Sequence, residues 1–597
     1  MSETKTIPVE EVTWDLEPLI ADRGTDIDAL LDEADRRAES LAEQHSKIAM
    51  MGPAELSAFM SELGEVRDLL GRAGSYAGLL YSADTTVPEH GALMQRVQER
   101  TTAIETKLLF VELEWASLDD ADAEALLADE SLDAFRHFLR SERRYRNHLL
   151  SEPEEKILSE KNVTGRAAWS RLFSELTAVI EVDLDGDKRS FEEAMSRLSS
   201  PDREVRRKTA AAITDALHPG LRTRAFLFNT ILYDKAVDDR LRRYTHWLQS
   251  RNLSNEASDE SVEALVSAVK NRYDIPQRWY RLKADVMGVE RVADYDRMAT
   301  LAETDEVIEW DESKQIVLDS YDSFSGEMAD LARRFFDEGW IDAPPRPGKR
   351  PGAFCAYTVP SHHPYVFLNF TARRTDVSTL AHELGHGLHA ALARPQGIFH
   401  QSTPLTLAET ASVFGETVTN NRLLEMEESP RSRFALLAQT VERAIATVFR
   451  QIAMNRFEDG VHNARRSEGE LSTDRIAELW IRSQEEMMGD TVELTDGYRI
   501  WWSYVPHFIG VPGYVYAYAY GQLLALSVYK RYQDEGPSFV PRYLDLLKAG
   551  GSMPPEELGK IVDCDLTDPA FWDGGLDIID GQLHDAAAEA KDAGLTP

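Results

Sequence analysis

Cysteine is almost missing from this chain of 597 residues. Only Cys355 and Cys564 occur. Two thiols build no disulfide framework and suit a reducing compartment, so Cys355 reads as a lone buried thiol. Positive charge is also scarce: 66 basic residues face 103 acidic ones, a formal net charge of −37. Such a surplus repels polyanions and argues against non-specific nucleic-acid binding. No run of about 18 uncharged apolar residues occurs, so no membrane span is expected. Met1-Ser2-Glu3-Thr4-Lys5 lacks a basic stretch followed by an apolar one, so no secretory leader is expected and a cytoplasmic location is. Among the cations Arg outnumbers Lys about threefold. The acidic balance has two readings: a halophile's solvated surface, stable where salt screens self-repulsion, or simply an acidic cytosolic protein.

Apolar residues at helical spacing organise the first part of the chain, as in Leu30/Leu31/Ala34, Leu56/Phe59/Met60/Leu63 and Ile104/Leu108/Val111. Ser151, Pro153 and Glu154 read as a capping box opening a helix to about Val179. Asp185-Gly186 between two short alternating stretches reads as a hairpin, and Ser200-Pro201-Asp202 starts another helix. The hairpin suggests a boundary between an N-terminal helical region, 1–180, and a second domain, 190–590. After the loop Pro344 to Gly352, Ala353 to Val359 and Tyr365 to Phe370 read as two strands. His362 and His363, in the turn between them, read as surface residues. Phe434 to Phe457 and Thr473 to Met488 return to helical periodicity, and Pro512 fits the first position of a helix running to about Tyr532.

The chemistry concentrates in Thr379-Leu380-Ala381-His382-Glu383-Leu384-Gly385-His386-Gly387-Leu388-His389. It reads as one helix, with Asp376 or Ser378 as cap and Pro395 and Gly397 past its end. At a rise of about 1.5 Å per residue, His382 and His386 lie one turn apart on one face. Two imidazoles so placed share a tetrahedral Zn²⁺ and leave room for a third ligand and a water. Glu383, beside His382, can reach that water as general base. Leu380, Leu384 and Leu388 form the opposite stripe. A His-Glu-x-x-His arises by chance in a chain this long with a probability on the order of a few per cent. Two observations weigh against chance. Gly385 and Gly387 sit mid-helix at a cost of roughly 1 kcal/mol each, as where another group must approach the backbone. The next helical stretch, about Pro404 to Glu427, places Glu409, Ser412 and Glu416 on one face among apolar neighbours. Glu409 is the expected third ligand and Glu416 a partner behind the ligands. His389 reads as structural, since a fourth protein ligand would close the site to water.

Gly352-Ala353-Phe354, Pro364 to Phe370, Thr379 to His386 and Leu407-Ala408-Glu409-Thr410-Ala411-Ser412 resemble the thimet oligopeptidase and oligoendopeptidase F family of zinc metallopeptidases, the oligoendopeptidase F branch best. The resemblance covers roughly 150–580, with an oligoendopeptidase F-like N-terminal domain at about 115–185. It implies a mainly α fold: a helical zincin with a small sheet beside the active-site helix and a deep channel admitting short unfolded peptides. It implies one Zn²⁺ per chain, held by His382, His386 and Glu409. In the family a His followed by tyrosines in the C-terminal segment stabilises the oxyanion of the transition state, which points to His507, Tyr514 and Tyr518. Two other functions stay open. A metallo-carboxypeptidase would need a cationic pocket, for which Arg373 and Arg374 are candidates. A non-enzymatic peptide-binding protein would carry the same helices with an idle motif.

Overall fold

The computed structural model describes residues 8–21, 26–302 and 307–596. The fold is mainly α, with three small sheets among the described residues. Burial divides the chain into two compact units that interleave along the sequence. The first comprises Met1–Arg146, Glu306–Leu423 and Arg531–Asp565; the second comprises Asn147–Asp305, Leu424–Lys530 and Leu566–Pro597. This division differs from a linear split beside residue 185. The hairpin lies inside the second unit because Val182 is buried in one core with Phe173 before it and Phe228, Phe457 and Trp480 after it. Apolar burial assembles segments regardless of their distance in sequence.

In the first unit, helices Ile27–Ala42, Pro53–Ala83 and Pro88–Leu108 bury their expected stripes in one core: Leu30, Leu31, Leu56, Phe59, Met60, Leu63 and Ile104. Each such side chain contributes about 1.5–3 kcal/mol on leaving water. The stripe ending at Val111 crosses a break, since a new helix, Phe110–Ser117, starts there. The two expected strands are shorter than their apolar runs. Phe354–Ala356 pairs antiparallel with Tyr365–Phe367, with Phe354 opposite Phe367. Thr358 at φ +58° ends the first strand. A third strand, Ile341–Asp342, runs parallel on the other side of Tyr365–Phe367, leaving Phe354–Ala356 at the edge.

In the second unit, Ser151 and Glu154 form the capping box, but the helix they open stops at Thr164. Gly165 leaves helical geometry, and Arg166–Ala178 follows as a separate helix. Strands Glu181–Leu184 and Asp187–Ser190 form the hairpin, with Asp185 and Gly186 both at positive φ, as a type I′ turn demands. Asp202 caps Arg203–Leu217 by accepting from Glu204 N at 2.8 Å. The run from Pro430 to Glu468 is helical throughout but carries a π-turn at Ile445–Phe449. Pro512 does not open a helix. Pro512 and Gly513 make a turn, with Gly513 at φ +77°, and the helix begins at Tyr516 and ends at Glu535.

Candidate functional site

Residues Arg374–Ala393 form the motif helix, and Leu405–Met426 the carboxylate helix. Asp376 fixes the start of the motif helix from its third position. Its carboxylate accepts from Thr371 N at 2.7 Å and Arg373 N at 3.1 Å. Ser378 is not a cap; it lies within the helix and donates to Asn420 Oδ1 at 2.6 Å. Leu380, Leu384 and Leu388 are fully buried. The two glycines let neighbours touch the helix backbone. A Cβ on Gly385 would lie 2.5 Å from Ala411 O, and one on Gly387 would lie 2.6 Å from the Phe335 ring. Tyr321 adds a hydroxyl bond to Ala381 O at 2.8 Å.

Ser378 meets Asn420, His382 meets Glu416 and Gly385 meets Ala411, so the two helices run antiparallel. This places one ligand atom from each of His382, His386 and Glu409 within 4.8 Å of the others. His382 Nε2 and His386 Nε2 lie 3.3 and 3.7 Å from the same Glu409 oxygen. Each donor is held from behind. His382 Nδ1 is 3.1 Å from Glu416 Oε2, His386 hydrogen-bonds the Ala408 backbone, and Ser412 Oγ donates to Glu409 Oε2 at 2.7 Å. Burial lowers the His386 pKa to about 4, which keeps an imidazole nitrogen free to coordinate. Two imidazole nitrogens and one carboxylate oxygen are the atom types of a catalytic His₂Glu set, and among the described residues no further His, Cys, Asp or Glu joins the cluster.

Glu383 is 8% exposed and its carboxylate accepts from the Cys355 backbone N–H. Burial, aided by the Glu409 charge, pushes its pKa up to about 7. A carboxyl poised there can both take and return a proton near neutral pH. Glu383 and His386 line one cavity of about 360 Å³, walled by the edge strand through Phe354 and Cys355 and by Tyr357. Tyr357 carried no helical or motif signal in the sequence; burial raises its phenol pKa. His389 is buried outside the cluster, its pKa lowered by burial to about 3. His362 and His363 lie away from it: His362 Nε2 meets Pro18 O at 2.8 Å, and His363 stacks on Trp340 at 4.2 Å. Arg374 is buried and Arg373 exposed.

The second unit gathers His507, Tyr514 and Tyr518. His507 Nε2 lies 3.2 Å from the Tyr518 hydroxyl, the His507 and Tyr514 rings stack at 6.1 Å, and Tyr514 meets Tyr518 edge-on at 5.0 Å. Burial, with the Arg450 charge, lowers the His507 pKa and favours the neutral ring. Tyr514 belongs to the turn before the helix, not to the helix. The other two tyrosines of the run are buried, with the Tyr516 hydroxyl accepting from Asn255 at 2.9 Å and the Tyr520 hydroxyl 2.8 Å from Ser261 Oγ. The run thus divides into a packing pair and a pair grouped with histidine.

Comparison with known proteins gives the same direction. The model of peptidase family M3 matches residues 196–578, and that of oligopeptidase F matches residues 114–181. Group B oligopeptidase PepB of Streptococcus agalactiae is 26% identical over 85% of this chain and 86% of its own. Oligopeptidase PepF of Bacillus subtilis is 26% identical over 87% and 79%. The crystal structure of oligoendopeptidase-F from Enterococcus faecium superposes with a TM-score of 0.70 at 21% identity, covering 95% of this chain and 100% of that one. A crystal structure from Chlamydophila abortus reaches a TM-score of 0.85 at 23% identity over 98% and 99%. These two likenesses concern the fold.

Proposed function

The chain belongs to peptidase family M3 and is a metallopeptidase, and from that premise we propose that it is a zinc-dependent endopeptidase of the oligoendopeptidase F type, cutting internal bonds of short unfolded peptides. The observation that carries this reading is the convergence of His382, His386 and Glu409 on one point. Two imidazole nitrogens and one carboxylate oxygen, each oriented by a group behind it, suit zinc better than hard oxygen-seeking cations. Zinc held there would polarise a carbonyl as a Lewis acid and supply a water of lowered pKa.

The chain's own residues do the rest. The edge strand Phe354–Ala356 offers backbone groups to an extended peptide, a recognition that tolerates many sequences. Glu383 takes the proton of the attacking water and passes it to the leaving amine. His507 and Tyr514 donate to the oxyanion, with Tyr518 beside them, each donor supplying roughly 3 kcal/mol in the transition state. The location we propose is cytoplasmic; no helix among the described residues is long and apolar enough to cross a membrane. The acidic surface we read as a halophile's. The deciding experiment is cleavage of an internally quenched fluorescent peptide with and without chelator, alongside metal analysis. Chelator-sensitive cleavage restored by zinc is expected; metal-independent cleavage or none overturns the reading.

A further inference from the structure

A cavity of about 640 Å³, room for a segment of peptide, lies within the second unit. Five cations line it, Lys161, Arg166, Lys235, Arg242 and Arg251, against the carboxylates Glu155, Asp234 and Asp238. In a chain of net charge −37 this local excess runs against the composition. Two of the cations are neutralised in place. Lys235 pairs with Asp239 at 2.8 Å, and Arg242 is bidentate on Glu155 at 2.8 and 2.9 Å. Arg166 donates to Gly510 O at 3.3 Å and faces Asp234. Lys161 and Arg251 make no side-chain hydrogen bond or ion pair among the described residues, and Arg251 Nε is buried without a partner. Burial pushes the Glu458 carboxyl up to about 8 against the pull of the Arg251 charge.

Pro512 forms part of the same wall. It begins the turn in which Gly513 N donates to Glu458 at 2.8 Å and Tyr514 N donates to Val511 O at 3.1 Å. A Cβ on Gly513 would lie 2.7 Å from Leu248 and 3.4 Å from Arg251 Cβ, so the turn is packed on the segment that carries Arg251. A ligand in the cavity therefore sits against the turn that carries Tyr514.

We infer that this cavity is a subsite for a carboxylate-bearing part of a peptide, taken by Arg251 and Lys161; the inference rests on the peptidase reading above. A guanidinium without a partner matches a carboxylate in a fork of two hydrogen bonds. The carboxylate belongs to an Asp or Glu side chain or to the peptide's C-terminus, and the test separates these sources.

The metal-loaded full chain is assayed on matched quenched peptides carrying Glu or Gln at one position and a free or amidated C-terminus. The wild type is expected to favour a carboxylate-bearing peptide by about tenfold, chiefly in KM. Arg251→Gln should cut that preference below about twofold while the Gln, amidated peptide is turned over as before. Lys161→Gln, at an exposed position, should weaken the preference by about threefold, and added salt should erode it. The arm that carries the preference identifies the carboxylate's source. A preference unchanged in both variants, or an equal loss on every peptide, overturns the subsite. Binding of fluorescently labelled versions of the same peptides to the chelator-treated protein, read by anisotropy, supplies an arm free of catalysis. Arg251-dependent discrimination there, with no cleavage by the metal-loaded protein, upholds the subsite and overturns the peptidase reading. Cleavage without discrimination overturns the subsite alone.

Discussion

Three residues on three different segments, Glu383 on the motif helix, Glu416 on the carboxylate helix and Tyr514 in the turn before Tyr516–Glu535, have separable proposed duties, and each is removed by a change of a few atoms. Glu383→Gln keeps shape and hydrogen bonding but cannot accept a proton. Metal content is expected to stay at one per chain while kcat falls by about 10²–10⁴-fold; a wild-type rate would assign the base elsewhere. Glu416→Gln leaves the three donors in place but removes the charge 3.1 Å behind His382, so metal affinity should drop by about 10–100-fold in a chelator titration. Tyr514→Phe should lower kcat more than it raises KM, because its bond strengthens as the oxyanion forms. Glu458 gives a pH signature of its own. Its folded pKa of about 8 lies above the ordinary carboxyl value of 4.5, so the folded state holds the proton more tightly. The stability this brings is full below about pH 4.5 and is lost as pH rises towards 8. Glu458→Gln keeps an acceptor for Gly513 and should flatten the melting curve across that window, raising Tm at its alkaline end. At this scale the meeting of His382 and His386 on one face was legible in the sequence, because a helix fixes what i and i+4 share. Tyr357 and the Cys355 amide that holds Glu383 were not, because reading 353–359 as a strand does not tell which of its groups meets a helix distant in sequence.

At the level of elements, the contact between the motif and carboxylate helices rests on the missing side chain of Gly385, while that of Gly387 admits the Phe335 ring. Alanine gains about 1 kcal/mol of helix propensity at either position. At Gly385 the intruding methyl meets the backbone of Ala411 and Ser412 within 2.6 Å, which a rotamer change cannot relieve. Gly385→Ala should therefore destabilise by about 1–3 kcal/mol net in denaturant titration and loosen metal binding. Gly387→Ala meets a phenyl ring instead and should cost less. The elements the sequence announced clearly were those with a chemical marker at the end: the capping box at Ser151, the Asp185-Gly186 turn, the Asp202 cap. The misread boundaries lacked one. Gly165 was absorbed into a longer periodic run, and Pro512 fits a first helical position as well as it fits a turn. The two-residue strand Ile341–Asp342 exists only because Tyr365–Phe367 lies alongside it.

For the whole molecule, charge and connectivity set the terms. A net charge of −37 makes the compact state repel itself in dilute buffer. Melting in 2 M KCl is expected to exceed that in 0.1 M KCl by about 10 °C, since the screening length shrinks from about 10 Å to below 3 Å. An unchanged melt would leave an ordinary acidic protein. The helical class was readable from the apolar period. The interleaving of the two units was not, because nothing local in a sequence reports which distant segments share a core.

That interleaving also governs when the clustered His382, His386 and Glu409 can become rigid during synthesis. Tyr543 stacks on Phe414 at 4.4 Å and donates to Thr410 O at 3.3 Å, so the helix bearing Glu409 is braced by residues translated more than a hundred positions later. A nascent chain halted after Met426 carries all three donors yet lacks the wall that holds them. Its carboxylate helix must wait, partly exposed, for the segment 531–565 to leave the ribosome.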